Sequence, residues 1–470
     1  MMLEVPARGV RGRDRRGRGG GRTVAAYLAL VVVPASLTAL LLAVNADRGV
    51  GAGAAGPGHP GADHAIARLL LALAVVVGAC KLAGLAAARL GQPAVIGEIL
   101  SGILLGPSAL GALAPGVAHA LVPPSTLPQI GVLAQIGVVL YVFLAGTEVD
   151  GRMLRRNGRL ALVVSHVSIA LPFLLGVLLA QVSYGRLAPA GIEFLPFALF
   201  LGVSMSITAL PVMARILQDV GMLRSELGTL ALTCALVGDA TAWCLLALVV
   251  ALVVSSSMLG VLWTVLLAGT FGAGLLGLVR PALVRVERTG RLPRPAVAVP
   301  MVLMAVFAAA STTEWIGVHA IFGAFLLGLV FPTGNETVRG VRDAFQGLTG
   351  LLLLPLFFAL TGLKTEIGLL GTDLLLWSWC LLVLVLAVAG KLGGALLAAR
   401  AAGTGWAPAL QLGVLMNCRG LTELIVLGIG LQLGVLSPEL FTMMVIMALV
   451  STAMAAPLAK RVAVTRVTPA

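Results

Sequence analysis

Apolar runs of about twenty residues, separated by short charged loops, recur from Val24 almost to the end of the chain. At 1.5 Å per helical residue, such a run matches the roughly 30 Å hydrocarbon thickness of a bilayer. The runs fall at 66–88, 94–111, 128–146, 160–182, 194–217, 226–253, 258–279, 296–314, 316–331, 345–363, 374–399, 408–431 and 438–459, with 24–44 ahead of them. The pattern predicts an all-α polytopic membrane protein with 13 to 14 transmembrane helices. Residues 1–23 are rich in Arg and Gly without apolar periodicity and read as a disordered basic cytoplasmic tail. Residues 24–44 read as an extra N-terminal span or signal anchor, 45–65 as a Gly/Pro-rich linker, 66–460 as the membrane domain and 461–470 as a short cytoplasmic tail.

The runs repeat. AVIGEILSGILLGP (94–107) resembles AIFGAFLLGLVFP (320–332), and LYVFLAGTEVD (140–150) resembles LFFALTGLKTE (356–366), at offsets of 216 to 226 residues. Matched spans stand seven apart, an odd number, so the two copies are expected to cross the membrane in opposite directions. Inverted repeats of this kind build many secondary transporters, whose sites lie where corresponding helices break near the midplane. The corresponding interrupted spans are LGVSMSITALPVMARIL (201–217) and LGVLMNCRGLTELIVL (412–427).

Composition agrees with this class. With 59% hydrophobic and 11% charged residues, the chain lies far from soluble domains, which hold about 45–50% apolar and about 25% charged residues. The net charge of +13 is scattered between apolar runs without interleaved aromatics, so no nucleic-acid partner is expected. Alternate loops collect the positive charge: Arg152, Arg155, Arg156 and Arg159; Arg280 to Arg294; Arg339 and Arg342; Lys460, Arg461 and Arg466. The positive-inside rule then puts both termini in the cytoplasm. Cys80, Cys234, Cys244, Cys380 and Cys418 all fall within apolar runs, where thiols behave as small hydrophobes, and no cofactor is expected. With no metal-ligand spacing and no converging Ser/His pair, an enzyme is not expected either.

One run, 226–253, carries an acid near its middle, Asp239. A charge at the centre of a membrane helix costs about 2.5–3.5 kcal/mol on insertion scales, so it normally faces a partner or a wet cavity. Asp239 is therefore the candidate for alternate binding of a proton and a monovalent cation, or else a buried hydrogen-bonded strut. In the first interrupted span, Ser204, Ser206 and Thr208 precede Pro211, whose missing N–H frees a carbonyl and leaves hard oxygen ligands together. In the second, Asn417, Arg419, Gly420, Thr422 and Glu423 follow one another, and Arg419 and Glu423 share a helical face. They could contact the ion or form an ion pair that holds the break. Lys391 lies deep in its run among glycines, and snorkelling to the interface would be a long reach. Glu98 sits near a span end, and His166 and His319 read as core histidines.

The stretches QPAVIGEILSGILLGPSALG, VVLYVFLAGTEVD, SITALPVMARILQD, GDATAW, HAIFGAFLLGLVFP, PLFFALTGLKT, AGKLGG and MNCRGLTELIVLGIGL resemble the monovalent cation:proton antiporter-2 family. The SITALPV and MNCRGLTELIVL forms are most similar to plant and fungal cation/proton exchangers. The resemblance covers 66–459 and implies a homodimeric inverted-repeat antiporter fold, with two crossed broken helices around a transport carboxylate in an elevator-like core. On this resemblance Asp239 is that carboxylate, with Ser206 and Thr208 at the first unwound stretch as ion- and proton-binding partners. Lys391, Asn417, Arg419 and Glu423 supply core charge and support the broken helices. The implied function is exchange of K+ or Na+ for protons across the plasma membrane, the alternative being a gated cation channel on the same scaffold. Gly238 stands where relatives carry a second acid or an amide, which favours one cation per proton.

Overall fold

The computed structural model describes residues 65–147, 151–219, 222, 225–254, 258–289, 293–332 and 336–464. The basic tail, the run at 24–44, the linker as far as residue 64 and the last six residues of the C-terminal tail lie outside them. Every regular element among the described residues is helical. In chain order they are α1 (Ala65–Arg89), α2 (Ala94–Leu105), the short α3 (Leu110–Leu113) and α4 (Pro115–Leu121), α5 (Leu127–Thr147) and α6 (Gly151–Leu187). Next come α7 (Phe194–Ser206), α8 (Leu210–Asp219), α9 (Glu226–Val254), α10 (Met258–Gly274) and α11 (Arg280–Arg288), the last two joined through a π-turn. Then follow α12 (Pro295–Ile316), α13 (Ile321–Val330), α14 (Glu336–Leu348) and α15 (Leu354–Leu363), the last two again joined by a π-turn. The chain ends with α16 (Leu374–Ala401), α17 (Trp406–Met416), α18 (Leu421–Gln432) and α19 (Pro438–Val464).

Among the described residues ten segments are long and apolar enough to cross a membrane, eleven when α17 and α18, bent by 43°, count as one. The expected count of 13 to 14 is not reached on length alone, for two local reasons. The 194–217 run breaks after Ser206, leaving α7 with 13 residues. The 316–331 run begins with a helix end: Gly317 closes α12 in the left-handed region at φ 92°, and only the ten residues of α13 remain.

The helices pack as two groups. α6 to α9 and α16 to α19 pack on one another, with α6 against α7 and α16 at the centre. α1, α2, α5 and α10 to α15 form the other group, built on the pairs α2 with α15 and α5 with α13. Those two pairs are equivalents under the sequence repeat, with partners exchanged. A Cβ on Gly102 would strike the carbonyl of Ala359, and one on Gly328 would strike that of Phe143; 102 matches 328 and 143 matches 359. Gly362 against Ile99 and Gly146 against Phe325 form a second matched set. Gly137 abuts Leu353, its own counterpart at an offset of 216. Contacts in which i meets j′ and j meets i′ are the mark of a two-fold, and a residue touching its own equivalent lies on the axis. Glycine is needed here because the helix backbones touch.

Candidate functional site

The first group holds two helix breaks that face each other. After Ser206 the chain turns extended at Ile207 (φ −76°, ψ 143°) and resumes as α8 at Leu210. After Met416 it passes Asn417, Cys418, Arg419 and Gly420 before α18 begins. Gly420 adopts φ 156°, and a side chain there would also run into Val212 of α8, just past the opposite break. Broken helices leave backbone groups without intrahelical partners, and buried ones must find others. The two stretches supply each other: the Ala209 N–H donates to the Cys418 carbonyl at 3.0 Å. The Thr208 hydroxyl donates to the Met416 carbonyl at 3.5 Å, and that of Thr422 to the Thr208 carbonyl at 3.2 Å. Thr452 of α19 donates to the Arg419 carbonyl at 2.8 Å, tying the second break to the last helix.

Three fully buried charges brace this crossing. Arg419 pairs with Glu423 at 2.9 Å, both side chains wholly inaccessible to solvent. Its guanidinium also donates to the carbonyls of Met205 at 2.8 Å, Ala387 at 3.4 Å and Ser204 at 3.5 Å. It therefore caps the carbonyl end of α7 and reaches α16, an arrangement suited to the negative end of a helix dipole. Lys391 of α16 donates to the carbonyls of Ser206 and of Ser168, the latter at 3.1 Å. Both cations thus hold backbone carbonyls of broken or crossing helices. The Ser206 hydroxyl turns back to the carbonyls of Gly202 at 2.7 Å and Ile169 at 3.0 Å. Gly238 faces Ser165, whose Oγ would lie 3.3 Å from a Cβ placed there.

Asp239 is buried on α9, at 8% exposure, and opens on a small crevice shared with Ile207, Ala242, Trp243 and Thr422. The crevice joins the acid to residues of both breaks. Ser206 and Thr208 flank Ile207 but do not line the crevice; their hydroxyls, like that of Thr422, donate to backbone carbonyls, which leaves the oxygen lone pairs open. Asn417 is buried at the second break. Trp243 closes the crevice toward the second group, edge-on to Phe322 of α13 at 6.2 Å between ring centres. From the sequence Trp243 is not singled out, and Thr422 is legible only as part of the second interrupted span, with no binding role. The i,i+4 spacing from Asp239 is the signal for the first, and the hydroxyl beside Glu423 for the second.

A larger cleft of about 340 Å³ lies between the two groups, lined by Gln135, His319, Thr361, Lys364 and Gln432 among apolar side chains. Ile425, Ile429 and Gln432 line it along α18, the helix that begins beside Thr422. The same helix therefore runs from the crevice at Asp239 to the cleft mouth, about 15 Å over ten residues. His319 lies on the cleft wall, half-buried and 3.3 Å from Gln135, rather than in the core. His166 is likewise not a core histidine; it is exposed on α6, with its ring bonded to the Leu162 carbonyl. All five cysteines are free, and no cluster of three His, Cys, Asp or Glu residues suited to a metal occurs among the described residues.

The family model described as sodium/hydrogen exchanger, transmembrane, matches residues 71–463. The chain belongs to this family. It is 42% identical over 402 residues to the Na(+)/H(+) antiporter NhaS4 of Synechocystis sp., covering 84% of this chain and 97% of that one. It is 39% identical to Cation/H(+) antiporter 17 of Arabidopsis thaliana and 32% identical to K(+)/H(+) antiporter 1 of Saccharomyces cerevisiae. The exchanger chain spans about half the length of those two relatives, 48% and 47%. Among solved structures, the sodium proton antiporter MjNhaP1 of Methanocaldococcus jannaschii superposes at a TM-score of 0.63 with 14% identity. The superposition covers 84% of the exchanger and 99% of that chain, and it places the fold. Family membership carries the activity class, secondary active exchange of a cation for protons across a membrane.

Proposed function

We propose that this exchanger moves K+ or Na+ against protons by alternating access, with Asp239 as the shared site. The observation that carries the reading is the crevice at Asp239, where a buried carboxylate meets residues from both helix breaks. An ionised carboxylate this deep is costly to carry across apolar surroundings. Either a proton or a cation neutralises it, so the loaded site can change sides while the empty one is held. Ile207 and Thr422 are the nearest sources of backbone and hydroxyl oxygen for a cation; Ser206, Thr208 and Asn417 shape the breaks, and Lys391, Arg419 and Glu423 hold them in register. The two packing groups correspond to a moving core and a fixed scaffold, in a thirteen-span inverted-repeat transport unit at 66–460 in which α7 with α8, α17 with α18, and α13 each count as a span. We place it as a homodimer in the plasma membrane with a cytoplasmic C-terminus. On that orientation the cleft at Lys364 opens outward.

Proteoliposomes holding a pH-sensitive dye test the proposal. Added Na+ or K+ should dissipate an imposed pH gradient, and Asp239→Ala should abolish the response in a protein that still elutes as a folded species. The apparent cation affinity should weaken as pH falls, because protons compete for one carboxylate. Dye recovery by Asp239→Ala at the parent rate removes Asp239 from the mechanism, and cation flux without proton movement marks a channel instead.

A further inference from the structure

A proline in the last helix leaves a carbonyl for another part of the chain to use. Pro457 lies inside α19 and has no N–H, so the carbonyl of Ala453, four residues earlier, has no intrahelical donor. The side-chain amide of Gln92 donates to it at 3.3 Å. Gln92 belongs to the scaffold group, in the turn between α1 and α2, while Ala453 belongs to the core group.

Local structure fixes the donor. Gly91 adopts φ 73°, the Gly91 N–H donates to the Ala88 carbonyl at 3.1 Å, and the Gln92 N–H donates to that of Ala87 at 2.9 Å. This pairing is a Schellman ending, and Pro93 follows it, so the backbone that presents the Gln92 side chain is set before the contact forms. The acceptor is fixed as well. Thr452, one residue before Ala453, donates to the Arg419 carbonyl in the second break. A single stretch of α19 therefore touches the scaffold on one side and the unwound substrate region on the other.

The contact lies at the end of the molecule opposite the cleft. Gly102 and Gly106 meet Ala359 and Leu363, and Ser108 donates to the Thr365 carbonyl, so α2 and α15 run the same way. Gln92 at the start of α2 is then at the far end from Lys364, which follows α15. Gln432 of the cleft lies just before the start of α19, and Ala453 is about 22 Å further along that helix.

The geometry points to Gln92 as a latch: its amide holds core to scaffold across the end of the protein opposite the cleft, using the carbonyl that Pro457 frees, and it must let go each time the core changes sides. Gln92 is a positioning residue and touches neither cation nor proton. The assignment rests on the alternating-access reading above, and the test separates the two.

Gln92→Cys and Ala453→Cys are combined with Cys244→Ser, which removes the one exposed native cysteine. The purified protein is treated with a short bifunctional thiosulfonate and reconstituted. Cross-linking should stop cation-driven dye recovery, and reductant should restore it. Stabilisation by Na+ or K+ in a thermal shift should survive the cross-link, because the Asp239 crevice is intact. Separately, Gln92→Ala and Pro457→Ala should each change the apparent cation affinity in the same direction by about two- to tenfold, with a combined effect smaller than the product. Failure of the two cysteines to cross-link, or exchange at an unchanged rate once they are joined, overturns the latch. Absence of exchange in the parent protein overturns the transport reading on which it rests.

Discussion

Arg419 offers the sharpest test of how the crossing is held. Replacing it with alanine leaves the Glu423 carboxylate fully buried without its 2.9 Å partner and strips the Met205 carbonyl of a 2.8 Å donor. Breaking a buried ion pair from one side costs about 3–5 kcal/mol. A buried acceptor left without a partner adds about 1–3 kcal/mol. The bonds to Ala387 and Ser204, at 3.4 and 3.5 Å, are long and add little. The sum, about 4–8 kcal/mol, is a large part of the roughly 5–15 kcal/mol that typically separates folded from unfolded protein. Glu423→Gln is the contrasting change: it too leaves a buried charge without its counter-ion, but Arg419 keeps its carbonyl acceptors, so the cost should lie near the lower end, about 3 kcal/mol. The paired change Arg419→Met with Glu423→Leu removes both charges and should fall between them. The assay is the midpoint of thermal loss of the monodisperse peak on size exclusion, read for all three variants. Arg419→Ala should be least stable and Glu423→Gln nearest to the parent. An Arg419→Ala protein as stable as Glu423→Gln would refute the account of Arg419 as the brace.

Two further outcomes follow from the packing and the cleft. Gly102→Ala and Gly328→Ala should each lower thermal stability by about 1–3 kcal/mol, since their Cβ atoms meet backbone carbonyls, whereas Gly428→Ala, with open space around it, should be neutral or slightly stabilising by the same thermal measurement. Lys364→Gln, on the cleft wall, should raise the apparent cation affinity about threefold at low ionic strength and leave it unchanged at about 0.5 M salt, as dye recovery against cation concentration will show.

The sequence discloses the fold where one residue decides the local backbone. The polar SIT stretch ahead of Pro211, and the polar NCRG stretch that ends in Gly420, interrupt apolar runs, so both breaks can be located from the sequence. The repeat that pairs Gly102 with Gly328 and Gly146 with Gly362 is visible in the sequence, but that these glycines sit where helix backbones touch is shown by the structure. Span limits are less legible, because an apolar run does not say where a left-handed glycine such as Gly317 ends one helix before the next begins. The destinations of side-chain hydrogen bonds are not legible at all. Ser206 and Thr208 are legible as hydroxyls at a break, but that their protons go to carbonyls on α6, α7 and α17 is set by which helices cross there. The Gln92 to Ala453 contact spans 361 residues and depends on a tertiary approach that local pattern does not encode.

Gly238 turns these contacts into a statement about charge. Gly238 puts no second titratable side chain beside Asp239 on α9, so on the proposed mechanism the acid in the crevice is the group whose charge the exchanging ligands neutralise. Lys391 is bonded to the Ser168 and Ser206 carbonyls, and Arg419 to Glu423, all within one packing group of helices. If that group moves as the proposed core, those ties travel with it and need not break, so their charge would be the same in both directions of the proposed cycle. Asp239 with a proton and Asp239 with a monovalent cation carry equal charge. On the proposed cycle the outward and return strokes would then move the same net charge, and the expected outcome is one cation exchanged for one proton without net current. Proteoliposomes clamped by valinomycin and a K+ gradient measure this directly with Na+ as the exchanged ion: the rate of Na+-driven dye recovery should be the same at about −100 mV and at zero potential. A field of that size acts on a net charge with about 2.3 kcal/mol, enough to change the rate many-fold if the cycle were electrogenic. A rate that follows the imposed potential would show that a second group, with Lys391 the first to examine, gives up or takes a proton in each turnover.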